Sequence, residues 1–233
     1  MAVILNIETS TKVCSVGIAV DGIIKFIKES HLANSHAELV TLFSEEVIKN
    51  AAYELTDIDA VSVSMGPGSY TGLRIGVSTA KGFCYALDKP LIAINTLKAM
   101  AAGMIENEKS PKDFLYCPMI DARRMEVYAA FFDAELNEIK ATEAVIVDEN
   151  SFTELLSANK IIFAGDGAPK CKEMLSHQQN AVFKNDFNPS SSFMAKLSEQ
   201  KFVQKDFEDI AYFEPFYLKD FVAGIPKVKG LKL

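Results

Sequence analysis

The glycine-rich stretch from Ser64 to Gly76 could bind phosphate. It follows a β-like run and leads into a helix-like run, and loops in that position often hold phosphate on backbone N–H groups. Within it, Gly66-Pro67-Gly68 predicts a rigid turn. Gly72, Gly76 and Ala80 then fall four residues apart and predict a small-residue stripe that lets another backbone approach closely. Such a stripe fits packing on the chain's own sheet or contact with a partner's helix.

The histidines and cysteines form no recognisable metal or peptidase motif. His31 and His36 lie five residues apart, which would direct them to different sides of a helix. The four cysteines are scattered without a CxxC pair, a pattern typical of a reducing compartment. The sequence has no HExxH motif and suggests no Ser/His/Asp set. We therefore predict no catalytic residues, no metal ligands and no cofactor.

Composition indicates a folded, acidic chain. Hydrophobic residues make up 49% of the 233 positions and charged residues 24%, enough for a sizeable core. The net charge of −7 argues against a protein that holds nucleic acid through its overall field. The first residues lack a basic region and contain Asn6 and Glu8, so no signal peptide is predicted, and no apolar run is long enough to cross a bilayer. We expect a cytoplasmic protein without membrane association.

The predicted elements of the first half alternate between strands and helices. Asp21-Gly22 is a two-residue hairpin signal, and Ser35 with Glu38 predicts a capping box at a helix start. The predicted strands are 2–8, 13–20, 23–28, 60–64 and 91–95, and the predicted helices are 35–50, 71–87 and 97–106.

The second half repeats this order of elements. Its predicted strands are 114–121, 126–132, 142–147, 161–164 and 182–184, and its predicted helices are 151–157, 168–177 and one after Pro189. Two βββαβα-type units predict a duplicated α/β architecture with mixed sheets. We expect one subdomain at 1–108, a second at 109–212 and a tail at 213–233.

Several stretches carry a resemblance to a known family. They are N-I-E-T-S-T at 6–11, S-M-G-P-G-S-Y-T-G-L-R-I-G at 64–76 and I-D-A-R-R-M-E-V-Y-A-A-F-F at 120–132, with F-A-G-D-G-A at 163–168 and E-P-F-Y-L-K at 214–219. The chain resembles the bacterial TsaB (YeaZ) family of tRNA threonylcarbamoyladenosine biosynthesis proteins. The resemblance implies the duplicated RNase H-like fold of actin, Hsp70 and sugar kinases.

The resemblance also implies a function. TsaB-like proteins are noncatalytic, activating scaffold subunits in the synthesis of N6-threonylcarbamoyladenosine next to the tRNA anticodon. They pair with a TsaD-like transferase subunit, and a TsaE-like ATPase docks on the pair. We accordingly expect these two partners, a homodimer when the chain is alone, and only indirect contact with tRNA.

ATP-using relatives of this fold suggest where remains of a nucleotide site would lie. Their first-strand carboxylate and the following hydroxyls correspond here to Glu8, Thr9, Ser10 and Thr11, and their adenosine-contacting turn resembles Gly165-Asp166-Gly167. Both segments also fit structural turns. The relatives need a second glycine-rich hairpin, where this chain has Asp121-Ala122-Arg123-Arg124 without glycine. This departure weakens the alternative that the chain is a small ATP-dependent phosphotransferase.

The partner interface is expected on the first two helices, where two such pairs would meet as a four-helix contact. The candidate residues are the apolar band of the first helix and the small-residue stripe of the second with its neighbours: Leu39, Val40, Phe43, Val47, Gly72, Leu73, Gly76, Val77 and Ala80. A further alternative is a tRNA-binding module, for which Lys227, Lys229 and Lys232 would contact phosphate, although the net charge disfavours it.

Overall fold

The computed structural model describes residues 1–32 and 35–219 and contains two five-stranded mixed sheets. In the first sheet, the order is β3-β2-β1-β4-β5, with β1 antiparallel to β2 and parallel to β4. Its strands are β1 (Val3–Glu8), β2 (Cys14–Val20), β3 (Ile23–Ser30), β4 (Ala60–Gly66) and β5 (Leu91–Asn95). Three helices belong to this half: α1 (His36–Asn50), α2 (Tyr70–Leu87) and α3 (Thr96–Glu106).

The second sheet repeats the first. Its order is β10-β9-β6-β7-β8, with β6 antiparallel to β7 and parallel to β9. The strands are β6 (Leu115–Asp121), β7 (Glu126–Phe132), β8 (Glu138–Ile146), β9 (Ile161–Ala164) and β10 (Ala181–Phe183). The helices are α4 (Thr153–Ala158), α5 (Ala168–Leu175) and α6 (Ala195–Gln204). Each half is therefore a three-stranded meander followed by two parallel strands, which confirms the predicted duplicated RNase H-like fold.

Helices α3 and α6 join the two sheets through apolar packing. Met100 and Met104 of α3 are buried with Tyr116 of β6, on the second sheet. Leu197 of α6 is buried with Ile92 of β5, on the first sheet, although α6 follows the second sheet in the chain. Helix α3, the last of the first half, thus packs on the second sheet, and α6, the last of the second half, packs on the first sheet. The subdomain boundaries at 108 and 212 stay a prediction.

Local signals set several element ends. The Asp21-Gly22 hairpin is confirmed, because both residues adopt left-handed angles, with φ of 51° and 72°. Helix α1 begins after Ser35 as expected, but the capping box is wrong: the Ser35 hydroxyl donates instead to the carbonyl of Leu32. Among the residues described, no helix is both long and apolar enough to span a membrane.

Candidate functional site

The glycine-rich loop and α2 pack directly on the turn that connects β1 and β2. A Cβ atom at Gly72 would overlap the carbonyl oxygen of Thr9, and one at Gly76 would overlap the Thr9 hydroxyl. A Cβ atom at Gly68 would overlap the carbonyl oxygen of Ser10. The small-residue stripe therefore accommodates the chain's own hairpin, the first of the two readings left open by the sequence.

Hydrogen bonds fix this close approach. The backbone N–H of Ser69 donates to the Ser10 carbonyl at 2.6 Å, and the Thr9 hydroxyl donates to the Gly72 carbonyl at 2.9 Å. Ser69 also caps α2, since its hydroxyl accepts the N–H of Gly72 at 3.2 Å. As a result Thr9, Ser10 and Thr11 are buried, with at most 5% of any of them exposed.

Glu8 lies under the same loop and is fully buried. One carboxylate oxygen accepts the Ser10 N–H at 2.6 Å and the Ser64 hydroxyl at 3.0 Å, while the other has no hydrogen-bond partner. Burial raises the pKa of Glu8, against hydrogen bonds that lower it. The structure thus brings together all four residues of the first nucleotide-site candidate and buries them within the chain.

The second nucleotide-site candidate forms a tight connection between β9 and α5. Gly165 has φ +111°, and a Cβ atom there would overlap the carbonyl oxygen of Met119. Gly167 lies against the end of β6, and the Asp166 carboxylate accepts the backbone N–H of Asp121 at 3.0 Å. Burial raises the pKa of Asp166. These contacts give the three residues a structural role in holding the end of β6.

The side chains expected at a partner interface lie mostly in the core of the single chain. Because the chain itself covers the buried members of this set, they offer little surface to a partner, and the interface on α1 and α2 stays a prediction. Leu39 is half-buried, whereas the others are buried: Val40, Phe43, Val47, Gly72, Leu73, Gly76, Val77 and Ala80. The apolar spacing marked the core-facing side of both helices.

A groove of about 510 Å³ lies on the outward side of the same two helices. The sequence reasoning missed it, because its residues are mostly small or polar and show no apolar periodicity. Tyr70, Arg74 and Ile75 are its large side chains, and Ala37, Thr71, Ser78 and Thr79 complete it.

The C-terminal segment borders this groove. The Tyr217 ring lies 4.9 Å from the Tyr70 ring, centroid to centroid, and the N–H of Phe216 donates to the Met65 carbonyl at 2.7 Å. The Arg74 guanidinium donates to the Tyr70 hydroxyl at 3.0 Å and lies over its ring. The start of α2 therefore presents an ordered aromatic and cationic edge.

Metal-ligating residue types are dispersed. Within 1–32 and 35–219, no three His, Cys, Asp or Glu side chains are grouped so that they could hold a metal ion. His36 is buried in α1 with Nε2 3.2 Å from the Val13 carbonyl oxygen, and all four cysteines are free and buried.

The repeated sheet order places the chain in the class of proteins with two RNase H-like units, and comparison with known proteins supplies the family. YeaZ from Pseudomonas aeruginosa superposes with a TM-score of 0.81 at 23% identity, over 94% of this chain and all of that one. TsaB of Escherichia coli K12, a tRNA threonylcarbamoyladenosine biosynthesis protein, is 28% identical over 94% of this chain and 96% of its own length. The protein of the same name from Haemophilus influenzae is 26% identical over 93% of each chain.

The family model described as TsaD, tRNA N6-adenosine threonylcarbamoyltransferase, matches residues 29–227. The chain belongs to that family and, within it, to the TsaB (YeaZ) group.

Proposed function

We propose that this chain is a noncatalytic subunit in the biosynthesis of tRNA N6-threonylcarbamoyladenosine, where it pairs with a TsaD-type transferase and activates it. The observation that carries the proposal is the covered hairpin at Thr9 and Ser10. The turn that corresponds to the phosphate-binding hairpin of ATP-using relatives is here packed against Gly68 and Gly72, which lie against the carbonyl oxygens of Ser10 and Thr9. In this chain, α2 occupies the face of the β1–β2 turn on which phosphate would lie. Such a chain is suited to supporting a catalytic partner.

The outward groove on α1 and α2 is the surface we assign to the transferase. A partner of the same fold would present an equivalent pair of helices, so that the contact becomes a four-helix arrangement. The edge formed by Tyr70, Arg74 and Ile75 supplies the aromatic, cationic and apolar groups that are enriched in interfaces. A small side chain at Ser78 lets the partner's helix approach closely.

The same surface explains the other associations that we propose. A self-complementary helix pair would form a homodimer in the absence of the transferase, and the two dimers would compete for one groove. A TsaE-like ATPase would dock on the heterodimer in the cytoplasm. Transfer chemistry and most tRNA contacts would belong to the partner.

One pair of variants tests the pairing surface. Ser78→Arg fills the groove with a large charged side chain, and Ser157→Arg makes the same change at an exposed position on α4. We expect Ser78→Arg to weaken binding to the cell's TsaD-type protein by about tenfold or more, and to slow tRNA modification in proportion to the lost binding. Ser157→Arg should behave as the wild type. A folded Ser78→Arg chain that binds and activates normally would refute this surface assignment.

A magnesium-ATP titration of the isolated chain separates the proposal from a phosphotransferase. We expect weak nucleotide binding at most and no hydrolysis. Turnover of ATP by the chain alone, abolished by Glu8→Gln, would overturn the noncatalytic assignment. Omission of the chain from a reconstituted modification assay should reduce product formation.

A further inference from the structure

The hairpin between β6 and β7 ends in two arginines with an unfavourable backbone conformation. Arg123 has φ 70° and Arg124 has φ 49°, and both side chains are exposed. Glycine or asparagine would adopt these angles at lower free energy, because a Cβ atom crowds the following carbonyl oxygen in the left-handed region; glycine has no Cβ, and the short asparagine side chain can form a local hydrogen bond. Two consecutive arginines at such positions are therefore kept at a cost in stability. Strained residues of this kind cluster at functional sites.

Surrounding groups hold the hairpin firmly in this shape. The Lys170 ammonium lies 2.5 Å from an oxygen of Asp121 and 2.6 Å from the carbonyl oxygen of Glu126, so it ties together both ends of the turn. The Asp121 carboxylate also accepts the N–H of Arg123 at 2.7 Å. The tip is thus preorganised by contacts that do not involve the arginine side chains.

The charge balance at the tip is opposite to that of the whole chain. Asp121 is paired with Lys170, and Glu126 with Lys219. In the part of the chain that the structure describes, Arg123 and Arg124 have no ion-pair partner. A chain with net charge −7 therefore presents two uncompensated guanidinium groups on one rigid projection.

We propose that Arg123 and Arg124 bind the phosphodiester backbone of the RNA substrate, a role that rests on the proposed function in tRNA modification. Guanidinium groups match phosphate oxygens through paired N–H donors, and a hairpin tip can follow a groove or backbone on a curved RNA surface. The tip adds a direct RNA contact to a subunit that was expected to meet tRNA only through its partner.

The surroundings favour RNA over an acidic protein partner. A stable protein interface needs a buried apolar centre, whereas the exposed residues at the tip of this hairpin are all charged. Asp121, Arg123 and Arg124 are exposed, and Ala122 and Met125 are only partly so. Contacts of this type give sequence-independent, salt-dependent affinity.

Glycine variants test the proposal without endangering the fold. Arg123→Gly and Arg124→Gly each remove one charge and relieve the left-handed backbone, so each should keep or raise the thermal midpoint, by up to about 2–4 °C. Lys205→Gly is a matched control, because Lys205 is also exposed and basic and has φ 56° at the end of α6. All chains are assembled with the TsaD-type subunit before measurement. The probe is a fluorescent tRNA transcript whose anticodon reads codons starting with A.

We expect each hairpin variant to weaken tRNA binding by about threefold to fivefold, and the slope of log affinity against log salt to fall by about one per arginine removed. Lys205→Gly should match the wild type. Unchanged affinity and slope in a variant that carries both Arg123→Gly and Arg124→Gly would overturn the proposal. Loss of complex formation in that variant would also overturn it, because the tip would then be a protein contact. Binding of the chain to the TsaD-type subunit, and its loss in Ser78→Arg, test the proposed function without reference to tRNA affinity. The proposed function can therefore hold even if the arginine tip does not bind RNA.

Discussion

The Thr9 hydroxyl donates a hydrogen bond of 2.9 Å to the backbone carbonyl of Gly72, joining the first hairpin to the first turn of α2. The contact is possible only because residue 72 has no side chain in the direction of Thr9. A glycine-rich sequence typical of phosphate binding is thereby used to bury the hairpin on which phosphate would lie.

Two glycines of α2 should respond in opposite ways to alanine. At Gly72 the added Cβ would overlap the Thr9 carbonyl oxygen, and we expect a loss of about 1–3 kcal/mol in the free energy of unfolding. At Gly82 a Cβ atom would have no neighbour within 4 Å, so alanine should stabilise the exposed helix position by about 0.5–1 kcal/mol. Urea denaturation followed by circular dichroism measures both. Equal effects of the two substitutions would disprove the close packing of α2 on the hairpin.

Periodicity and turn chemistry predicted most of the fold. Strands β5, β7 and β9 match the predicted bounds, because runs of branched and aromatic residues end at clear turn residues. The repeated order of elements also predicted the duplicated architecture. Helix α6, by contrast, packs on the first sheet, and no local pattern of residues reports such a long-range docking.

The candidate site was harder to predict, for a physical reason. A stripe of small residues reports that a backbone comes close, but not which backbone. Gly72 and Gly76 were thus compatible with a partner's helix until the structure placed Thr9 against them. Likewise the apolar positions Val40 and Val47 mark the side of α1 that needs burial, and the chain's own sheet already buries them. The residues that line the outward groove show no apolar periodicity, so no sequence pattern indicated the groove.

Replacement of Glu8 by glutamine should change the pH dependence of stability. Burial raises the pKa of Glu8 in the folded chain, so its stabilising contribution is full below the unfolded pKa of about 4.3 and is lost as pH rises through the folded pKa. Glu8→Gln keeps a neutral side chain at every pH. The free energy of unfolding of the variant, relative to wild type, should therefore increase as the pH rises above about 4. Glu38→Gln, at an exposed position on α1, controls for the lost charge; a flat difference for Glu8→Gln would contradict the assigned burial.

The cysteines should be unreactive in the native chain. Burial raises the pKa of Cys14, Cys84 and Cys171 to about 11, so at pH 8 about one in a thousand of these thiols is ionised; burial also raises the pKa of Cys117 well above its usual value. We expect a disulfide reagent such as DTNB to titrate no thiol rapidly in buffer and all four in denaturant. Rapid reaction of one equivalent under native conditions would show that a core region opens readily.

The contacts of Lys170 with Asp121 and Glu126 predict how fast trypsin cleaves the hairpin between β6 and β7. Lys170→Met keeps the apolar stem of the side chain but removes the ammonium that joins Asp121 to the carbonyl of Glu126. Loss of two charged hydrogen bonds should raise the open fraction of the tip, and trypsin should cleave after Arg123 or Arg124 at least about fivefold faster. Lys172→Met makes the same change at an exposed position of α5 and should leave that rate unchanged. If both variants are cut at the wild-type rate while circular dichroism shows an intact fold, the hairpin does not depend on these contacts, and the arginine tip is not preorganised in the way that its contacts with Lys170 indicate.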